Sequence, residues 1–315
     1  MKKHVLAGVL VATCPAGSVA QEATFTTGLA IEINPGLFDC GPRTRTSAVG
    51  EIASDDGTVW IVPAATNYGK VPFAPDLYNE CGGKTFGSSA EIDLGSVPLM
   101  DAGGSEQFVA YIFADNYFEL YVNGTLLAVD EVPFTQFNSN VVRFSADRPV
   151  TLAIMMVDWE ENLGLGSENN RGKAFHPGDG GLVAHVQDAN GETVAITDAS
   201  WRAQTFYTAP LSDRSCLVVE GQTRDSSTCN EEGVDDATGF SAAHWAVPTD
   251  WMMPSFDDRI WPAAATFSND TVGVNNKKAF TNFEDNFDTP GADAAFIWSS
   301  NLVLDNLVLL RKTFE

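Results

Sequence analysis

The chain has 315 residues, with 42 Asp or Glu against 18 Lys or Arg, so its formal net charge at pH 7 is −24. Nucleic acid and anionic membrane surfaces are therefore excluded as expected partners, because both are normally bound through Lys and Arg. Hydrophobic residues still make up 44% of the chain, which is enough for a sizeable core and argues against disorder.

The first twenty residues have the pattern of an export signal. Two lysines precede an apolar stretch from Val5 to Cys14, and Ser18-Val19-Ala20 ends the segment with the small residues that a signal peptidase requires. We expect cleavage before Gln21 and a secreted or periplasmic product. Its formal charge would be about −26, since the segment carries two lysines and no acid.

A lipoprotein is the alternative for this N-terminus. Val11 to Cys14 loosely resembles a lipobox whose cysteine would be acylated, although Thr13 is bulky for that position. Later apolar runs are all much shorter than twenty residues, so the sequence predicts no transmembrane anchor.

Four cysteines follow the predicted cleavage site, and they are widely spaced without a C-x-x-C pair. Export makes disulfides the expected state, and four cysteines allow three pairings. Closeness in sequence favours Cys40 with Cys81 and Cys216 with Cys229. A tetrathiolate zinc site is the alternative.

Short apolar segments with a period near two predict strands, and they are separated by clusters of Gly, Asn, Asp and Pro. The predicted strands are 108–113, 117–122, 126–129, 151–157, 182–186 and 193–197. Asn123-Gly124 predicts a type I′ hairpin between the second and third of these strands, and Asn190-Gly191 predicts a hairpin between the last two. Helical periodicity over ten or more residues is not seen beyond the signal segment. The sequence therefore predicts an all-β antiparallel sandwich.

Two stretches, 216–243 and 268–294, are rich in polar turn residues and are expected to be long surface excursions. We divide the chain into a signal peptide at 1–20, an unassigned β region at 21–100 and a sandwich at 101–315. Composition leaves open whether the last two form one enlarged domain or two packed ones.

Several segments are similar, in order, to the galactose-binding-like jelly rolls found beside bacterial alpha-L-rhamnosidase catalytic domains. They are Ala114 to Gly124, Gly180 to Ala184, Asp188 to Gly191, Thr197 to Arg202, Trp251, Pro254 to Asp258, Trp261 to Ala264, and Leu309 to Phe314. The resemblance covers residues 108–264 loosely and implies a jelly-roll sandwich that binds carbohydrate. In those modules, the strand that resembles Leu309 to Phe314 leads into the hairpin. In this sequence the corresponding segment lies at the C-terminus. No rhamnosidase catalytic domain is visible. We expect Trp201, Trp251 and Trp261 to be core residues beneath capped loops.

Recognised catalytic motifs are absent: the sequence has no nucleophile elbow, His-Glu-x-x-His helix, phosphate loop or dinucleotide fingerprint. Acidic pairs are abundant in a chain with 42 acids, so no glycosidase pair stands out. We expect a protein without catalytic activity.

An acidic stretch follows the strand predicted at 151–157. Asp158, Glu160, Glu161 and Glu168, with Asn169-Asn170, supply the oxygen ligands that Ca²⁺ prefers, although a solvated acidic loop explains them equally. A second acidic cluster, with the same two interpretations, consists of Glu284, Asp285, Asp288 and Asp293.

Copper is the alternative metal. His176, His185 and His244 follow the predicted cleavage site, and His244 stands shortly before Met252-Met253. Imidazole and thioether are ligands that copper accepts, but the spacing is irregular and His185 can equally be a core residue.

Trp159, Trp245 and Tyr78 are the aromatic residues that we expect on loops, where sugar rings could stack on them. The leading hypothesis is an exported, non-catalytic protein that binds carbohydrate or another cell-surface ligand. An exported calcium- or copper-binding protein is the second hypothesis, and a polysaccharide-active hydrolase or lyase is the third.

Overall fold

The computed structural model describes residues 21–42, 44–168, 176–232, 239–289 and 291–315. The predicted signal peptide therefore lies outside the described residues. Within them the fold is dominated by antiparallel strands, and the prediction of an all-β sandwich is confirmed.

The described strands, in chain order, are β1 (Thr24–Thr27), β2 (Ile31–Asn34), β3 (Val49–Ala53), β4 (Val59–Val62), β5 (Asp76–Asn79), β6 (Lys84–Thr85), β7 (Leu99–Asp101), β8 (Glu106–Asp115), β9 (Tyr117–Val122), β10 (Thr125–Val129), β11 (Ser139–Ala146), β12 (Val150–Val157), β13 (Gly181–Asp188), β14 (Thr193–Ile196), β15 (Arg202–Leu211), β16 (Val218–Glu220), β17 (Thr223–Asp225), β18 (Ser241–His244), β19 (Ala265–Phe267), β20 (Asp288–Thr289), β21 (Ala292–Asp293), β22 (Phe296–Trp298) and β23 (Asp305–Phe314). The described α-helices are single turns: α1 (Asn269–Val272), α2 (Lys278–Thr281) and α3 (Glu284–Phe287). Short 3₁₀ turns cover Ser89–Glu91, Leu94–Ser96, Arg214–Cys216, Asp258–Ile260 and Val274–Asn276.

Two large sheets form the sandwich. The first has the order β1-β18-β15-β23-β12-β9-β10. The second has the order β19-β22-β13-β8-β11-β5-β6, with β14 added beside β13 and β7 beside β11. The pairings within both sheets are antiparallel except that of β7 with β11. A separate three-stranded sheet has the order β2-β3-β4.

The first sheet is covered on both faces. In β12, Leu152, Ile154 and Met156 belong to the core between the two sheets, whereas Ala153 and Met155 belong to a second core on the outer face. Alternate side chains of a strand point to opposite faces, which explains why all eight residues of β12 are buried. The acids Asp158 and Glu160 directly follow this doubly buried strand.

Both predicted hairpins are confirmed. β9 and β10 pair across Asn123-Gly124, whose φ angles of 49° and 86° suit a type I′ turn. β13 and β14 pair across Asn190-Gly191 in the same antiparallel manner. The turn chemistry was therefore sufficient to place four strands.

Residues 21–100 contribute strands to both large sheets. β1 pairs with β18 in the first sheet, while β5 and β7 pair with β11 in the second. Strands from this region therefore share hydrogen-bonded ladders with strands of the 101–315 region.

The expectation of a surface excursion at 268–294 is wrong. Its short helices bury Val272, Phe280, Phe283 and Phe287 in the core between the sheets. Polar turn residues dominate the composition of this segment, but a few aromatic side chains are enough to dock it against the second sheet.

The expected disulfides, Cys40–Cys81 and Cys216–Cys229, are both present, with Cα atoms 5.4 and 5.1 Å apart. Two disulfides indicate an oxidising, extracytoplasmic environment. Among the described residues, none of the helices has the length and apolar character needed to cross a membrane. The expectation that Trp201, Trp251 and Trp261 are core residues is confirmed, since all three are buried.

Candidate functional site

A cavity of about 290 Å³ lies where strands of both sheets end. Asp115 is the last residue of β8 in the second sheet, and the chain crosses at Asn116 into β9 of the first sheet. Asp158 directly follows β12, which pairs with β9. The residues that line the cavity are Arg45, Asp115, Asn116, Phe134, Thr135, Phe137, Asp158, Glu168, Gly178, Asp179 and Lys277.

Asn116 fixes the two strand ends to one another. Its Oδ1 accepts a hydrogen bond from the amide of Trp159 at 2.6 Å, and its Nδ2 donates to Asp115 Oδ1 at 2.6 Å. One amide side chain thus links the carboxylate of Asp115 to the main chain that directly follows Asp158.

Asp115 and Asp158 are almost completely buried, at 3% and 2% exposure. Burial raises the pKa of Asp115 well above its usual range, and the charges of Asp179 and Asp158 add to the effect. Burial also raises the pKa of Asp158, with further contributions from Asp179 and Glu168. These carboxyl groups are therefore close enough to influence one another's ionisation.

Glu160 lies behind the cavity wall at 3% exposure. The amide of Gly178 donates a hydrogen bond to its Oε1. Burial and then the charge of Asp158 raise the pKa of Glu160. Three acids from two neighbouring strand ends are consequently packed in one desolvated region.

Asp179, which lies just before β13, is a further carboxylate that lines the same cavity as Asp115 and Asp158. It is only partly buried, and desolvation followed by the charge of Glu168 raises its pKa to about 6. A carboxyl group with this pKa exchanges a proton near neutral pH, which is the property required of an acid catalyst or of a site that responds to pH.

Cationic side chains lie around the rim. Arg45 forms an ion pair with Glu168 and covers the ring of Phe134 at 5.5 Å. Lys277 lies 4.4 Å from the centre of the Phe137 ring. The cavity thus presents fixed donors and fixed acceptors beside two aromatic rings.

A second cavity of about 260 Å³ adjoins the first and shares Phe137 and Lys277 with it. Tyr78 lines this second cavity, and its hydroxyl donates to Glu80 Oε1 at 2.7 Å. Burial raises the pKa of Tyr78 to about 12, with the hydrogen bond to Glu80 contributing. Tyr78 was expected on a loop, which is wrong: it lies on β5 beside this cavity, with only 4% of its surface exposed.

The residues expected to bind calcium are partly brought together. Asp158 and Glu168 line the cavity, and Glu160 lies behind it, whereas Glu161 is the half-buried residue that follows. The stretch that includes Asn169 and Asn170 lies outside the described residues. Among the described residues, no three His, Cys, Asp or Glu side chains already stand as a complete set of metal ligands.

The second acidic cluster is spread along the surface. Glu284 and Asp285 lie on α3, and Asp288 faces Asp293 across a two-residue ladder. All four side chains are exposed. A solvated acidic surface is sufficient to explain these four residues.

The expectation that sugar stacks on Trp159 and Trp245 needs correction. These indoles are 0% and 1% exposed, so neither offers a face to a ligand in this conformation. Trp159 Nε1 donates to the Ala48 carbonyl at 3.1 Å and packs edge-on against Tyr117. Both residues follow strand ends, but the outer core, which the sequence did not reveal, covers them.

The three histidines lie in different surroundings. His176 Nε2 is 3.1 Å from Glu168 Oε2, beside the cavity. His185, on β13, has Nδ1 2.6 Å from the Asn286 carbonyl and Nε2 2.8 Å from Thr193 Oγ1. His244, on β18, has Nε2 2.9 Å from the hydroxyl of Thr26. Both ring nitrogens of His185 are thus already engaged within the protein.

Sequence reasoning missed most of this cavity. Asp115-Asn116 ends a strong apolar run, and Asp179 lies in the glycine-rich turn between two histidines, but neither position carries a recognised motif. Arg45 and Lys277 come from distant parts of the chain. Only the order of strands in the sandwich brings these residues to one end.

No protein-family model, curated protein or solved structure matches this chain.

Proposed function

We propose that the protein binds a glycan, with one sugar unit in the acidic cavity and a neighbouring unit in the adjoining one. The observation that carries the proposal is the convergence of four carboxylates, an amide, two cations and two aromatic rings on one cavity of about 290 Å³. Exported all-β sandwiches host many functions, so the proposal rests on the site and not on the fold.

The chemistry of the lining suits a polyhydroxylated ligand. Sugar hydroxyls both donate and accept hydrogen bonds, so they need acceptors such as the carboxylates of Asp115 and Asp179 together with donors such as Lys277. The apolar faces of a sugar ring pack on aromatic side chains, which Phe134 and Phe137 supply. Polar groups that are held in place before binding lose little freedom when the ligand arrives.

The two adjoining cavities determine the length of glycan that we expect to bind and its affinity. Volumes of about 290 and 260 Å³ are small by the standard of ligand pockets, and each suits a single sugar unit. We expect dissociation constants on the order of 0.1–1 mM, or roughly −4 to −5.5 kcal/mol, because a small wet site keeps water at its rim.

A glycan array followed by titration tests the proposal. Asp179→Asn and Lys277→Met should each weaken binding at least about tenfold, since each removes one charge-assisted hydrogen bond. Asp285→Asn, on the exposed surface of α3, is the matched control and should bind like the wild type. If the wild-type protein binds neither neutral nor acidic glycans, the proposal is refuted.

Hydrolysis of a glycosidic bond is a second candidate, favoured by one observation. Asp179 is partly exposed at the cavity, and desolvation raises its pKa to about 6, which suits an acid that protonates a leaving oxygen. Glu168, paired with Arg45, is the candidate for the ionised partner that attacks or activates water.

Release of new reducing ends distinguishes this candidate from simple binding. Polysaccharides that the wild-type protein binds should be cleaved, and Asp179→Asn should abolish cleavage whereas Asp285→Asn should not. Intact glycan after prolonged incubation would leave binding as the function and reject the hydrolase.

Export by a cleavable signal peptide belongs to the same proposal. The oxidised cysteines support passage into an oxidising compartment. Mass spectrometry of the exported protein should find Gln21 as its first residue. An acylated Cys14 at the N-terminus would instead establish the lipoprotein alternative.

A further inference from the structure

We propose that the acidic cavity holds a Ca²⁺ ion at Asp158, with Asp115 and Asp179 as the neighbouring carboxylates, and that sugar hydroxyls complete its coordination. The coordination of the ion by sugar hydroxyls rests on the proposed glycan site. Calcium binding itself does not rest on it, and calcium binding and glycan binding can be tested separately.

Two buried carboxylate oxygens at the cavity have no hydrogen-bond partner among the described residues. They are Asp158 Oδ2 and Glu160 Oε2. An ionised carboxylate in the protein interior requires compensation by hydrogen bonds or by positive charge. These two acids are adjacent and receive less compensation than their burial demands.

Other buried carboxylates in the same protein are well satisfied. Glu119 accepts hydrogen bonds from the hydroxyls of Tyr117 and Tyr121 at 3.0 and 2.8 Å. Asp305 accepts three hydroxyl hydrogen bonds at 2.7 to 2.8 Å. Among the described residues, the buried carboxylate oxygens without a partner belong to Asp130, Asp158 and Glu160, and two of these three acids lie side by side at the cavity, which points to a ligand there.

Charge balance points in the same direction. The titratable and charged groups that surround the site are Asp115, Asp158, Glu160, Glu168, Asp179, Arg45, His176, Lys277 and the buried Tyr207. Five carboxyl groups thus face two permanent cations and one histidine. Either protons or a bound cation must neutralise the surplus.

The chemistry selects calcium. Hard oxygen ligands and an irregular, partly water-filled site suit Ca²⁺ better than the softer transition metals. The three aspartates do not converge as a finished ligand set. The proposed site therefore requires the carboxylate of Asp179, which is only partly buried, to turn toward Asp158. A site that must rearrange and that keeps water ligands should be weak, with a dissociation constant on the order of 0.1–1 mM, as in extracellular calcium modules.

Melting curves of the mature protein in chelator and in about 10 mM CaCl₂ test the ion. For a dissociation constant of about 1 mM, wild-type protein should show about a tenfold shift of the folding equilibrium toward the native state. Asp158→Asn should lose this shift while remaining at least as stable as wild type in chelator, since the amide carries no charge. Asp179→Asn, at the rim, is a second variant that should lose most of the shift, and Asp285→Asn should keep all of it.

Titration calorimetry with CaCl₂ gives an independent readout. The wild-type protein should show a heat of binding, and Asp158→Asn should show none. Coincident melting curves with no heat of binding would overturn the inference. A full calcium shift retained in both Asp158→Asn and Asp179→Asn would also overturn it, because the ion would then bind elsewhere.

Glycan titrations in calcium and in chelator separate the two proposals. Binding that disappears in chelator and in Asp158→Asn supports both. Binding that is equal in calcium and in chelator keeps the glycan site and rejects the ion's role in it. A calcium shift without any glycan binding keeps the ion and rejects the proposed function.

Discussion

The main chain of Gly178 lies directly over the carboxylate of Glu160. Its amide donates to Oε1, and a Cβ at this position would stand 2.9 Å from that oxygen and 3.5 Å from Asp158 Oδ1. The glycine therefore lets the loop before β13 close over two buried acids. A side chain at this position would occupy space that the acids need.

Gly178→Ala should disturb the site more than the fold. Glu160 must shift by a few tenths of an ångström in a packed interior, which we expect to cost about 1–2 kcal/mol in the free energy of unfolding. Calcium and glycan affinities should both decrease. Gly36→Ala, where the new Cβ would meet only Thr46 at 3.6 Å, is the matched control and should change neither.

A second buried acid, Asp130, should make the protein more stable in mild acid than in mild base. Its Oδ1 accepts hydrogen bonds from the Val132 amide and Asn138 Nδ2 at 2.8 and 2.7 Å, yet burial raises its pKa to about 8. An acid with a raised folded pKa binds more protons in the native state, so its contribution to stability is present at low pH and is lost as pH rises toward 8. The same sign applies to Asp76, whose pKa burial raises to about 6.

Urea denaturation in chelator at pH 5.5 and pH 8 checks this expectation. Wild-type protein should be more stable at pH 5.5, and Asp130→Asn should gain on the order of 2 kcal/mol over wild type at pH 8 and less at pH 5.5. Asp285→Asn should follow the wild-type profile. A wild-type stability that increases steadily from pH 5.5 to pH 8 would contradict the assigned direction.

Protonation of His244 should determine the pH at which the protein unfolds in acid. It lies between the rings of Trp60 and Tyr207, with centroids 5.3 and 4.8 Å away, and desolvation lowers its pKa to about 3. A buried neutral histidine stabilises the native state above its unfolded pKa of about 6.5, and the stabilisation is lost as pH falls toward 3. His244→Phe should therefore unfold at a lower pH than wild type in an acid titration followed by tryptophan fluorescence. An unchanged acid midpoint would show that other groups govern acid unfolding.

The two disulfides should differ in their contributions to stability. Cys40–Cys81 spans 41 residues and Cys216–Cys229 spans 13, so the chain-entropy model assigns about 4 and about 3 kcal/mol to them. Replacing both cysteines of a pair by serine and measuring urea denaturation tests the order. Equal losses, or a larger loss at Cys216–Cys229, would show that native-state contacts outweigh loop entropy here.

Trp201 should behave as a core residue with no direct part in binding. It is 1% exposed, and its Nε1 donates to the Ile196 carbonyl at 2.8 Å. Trp201→Ala should cost about 3–5 kcal/mol in unfolding free energy. Ile260→Ala, at a side chain that is 43% exposed, should cost well under 1 kcal/mol. A Trp201→Ala protein of normal stability with lost glycan binding would assign the indole to the ligand instead.

Local chemistry made much of this fold predictable. Asn123-Gly124 has positive φ angles at both residues and Asn190-Gly191 has one at Gly191, and these angles, which few other residues adopt, made the turns and their flanking strands predictable. Strands such as β11 and β15 were missed because buried polar residues interrupt their apolar pattern. Their burial depends on partners that only the assembled sheets provide.

The sequence by itself determined the all-β class and the acidic segment at Asp158, and it favoured the two disulfide pairings that formed, because these depend on turn residues, on local composition and on sequence separation. The tertiary structure alone decided which acids share a site. Asp115, Asp158 and Asp179 come from three strand ends of two sheets. It also decided that Trp159 is covered, since a second core packs on the outer face of the first sheet. Distances between residues far apart in the chain follow from strand order and register, which no local pattern encodes.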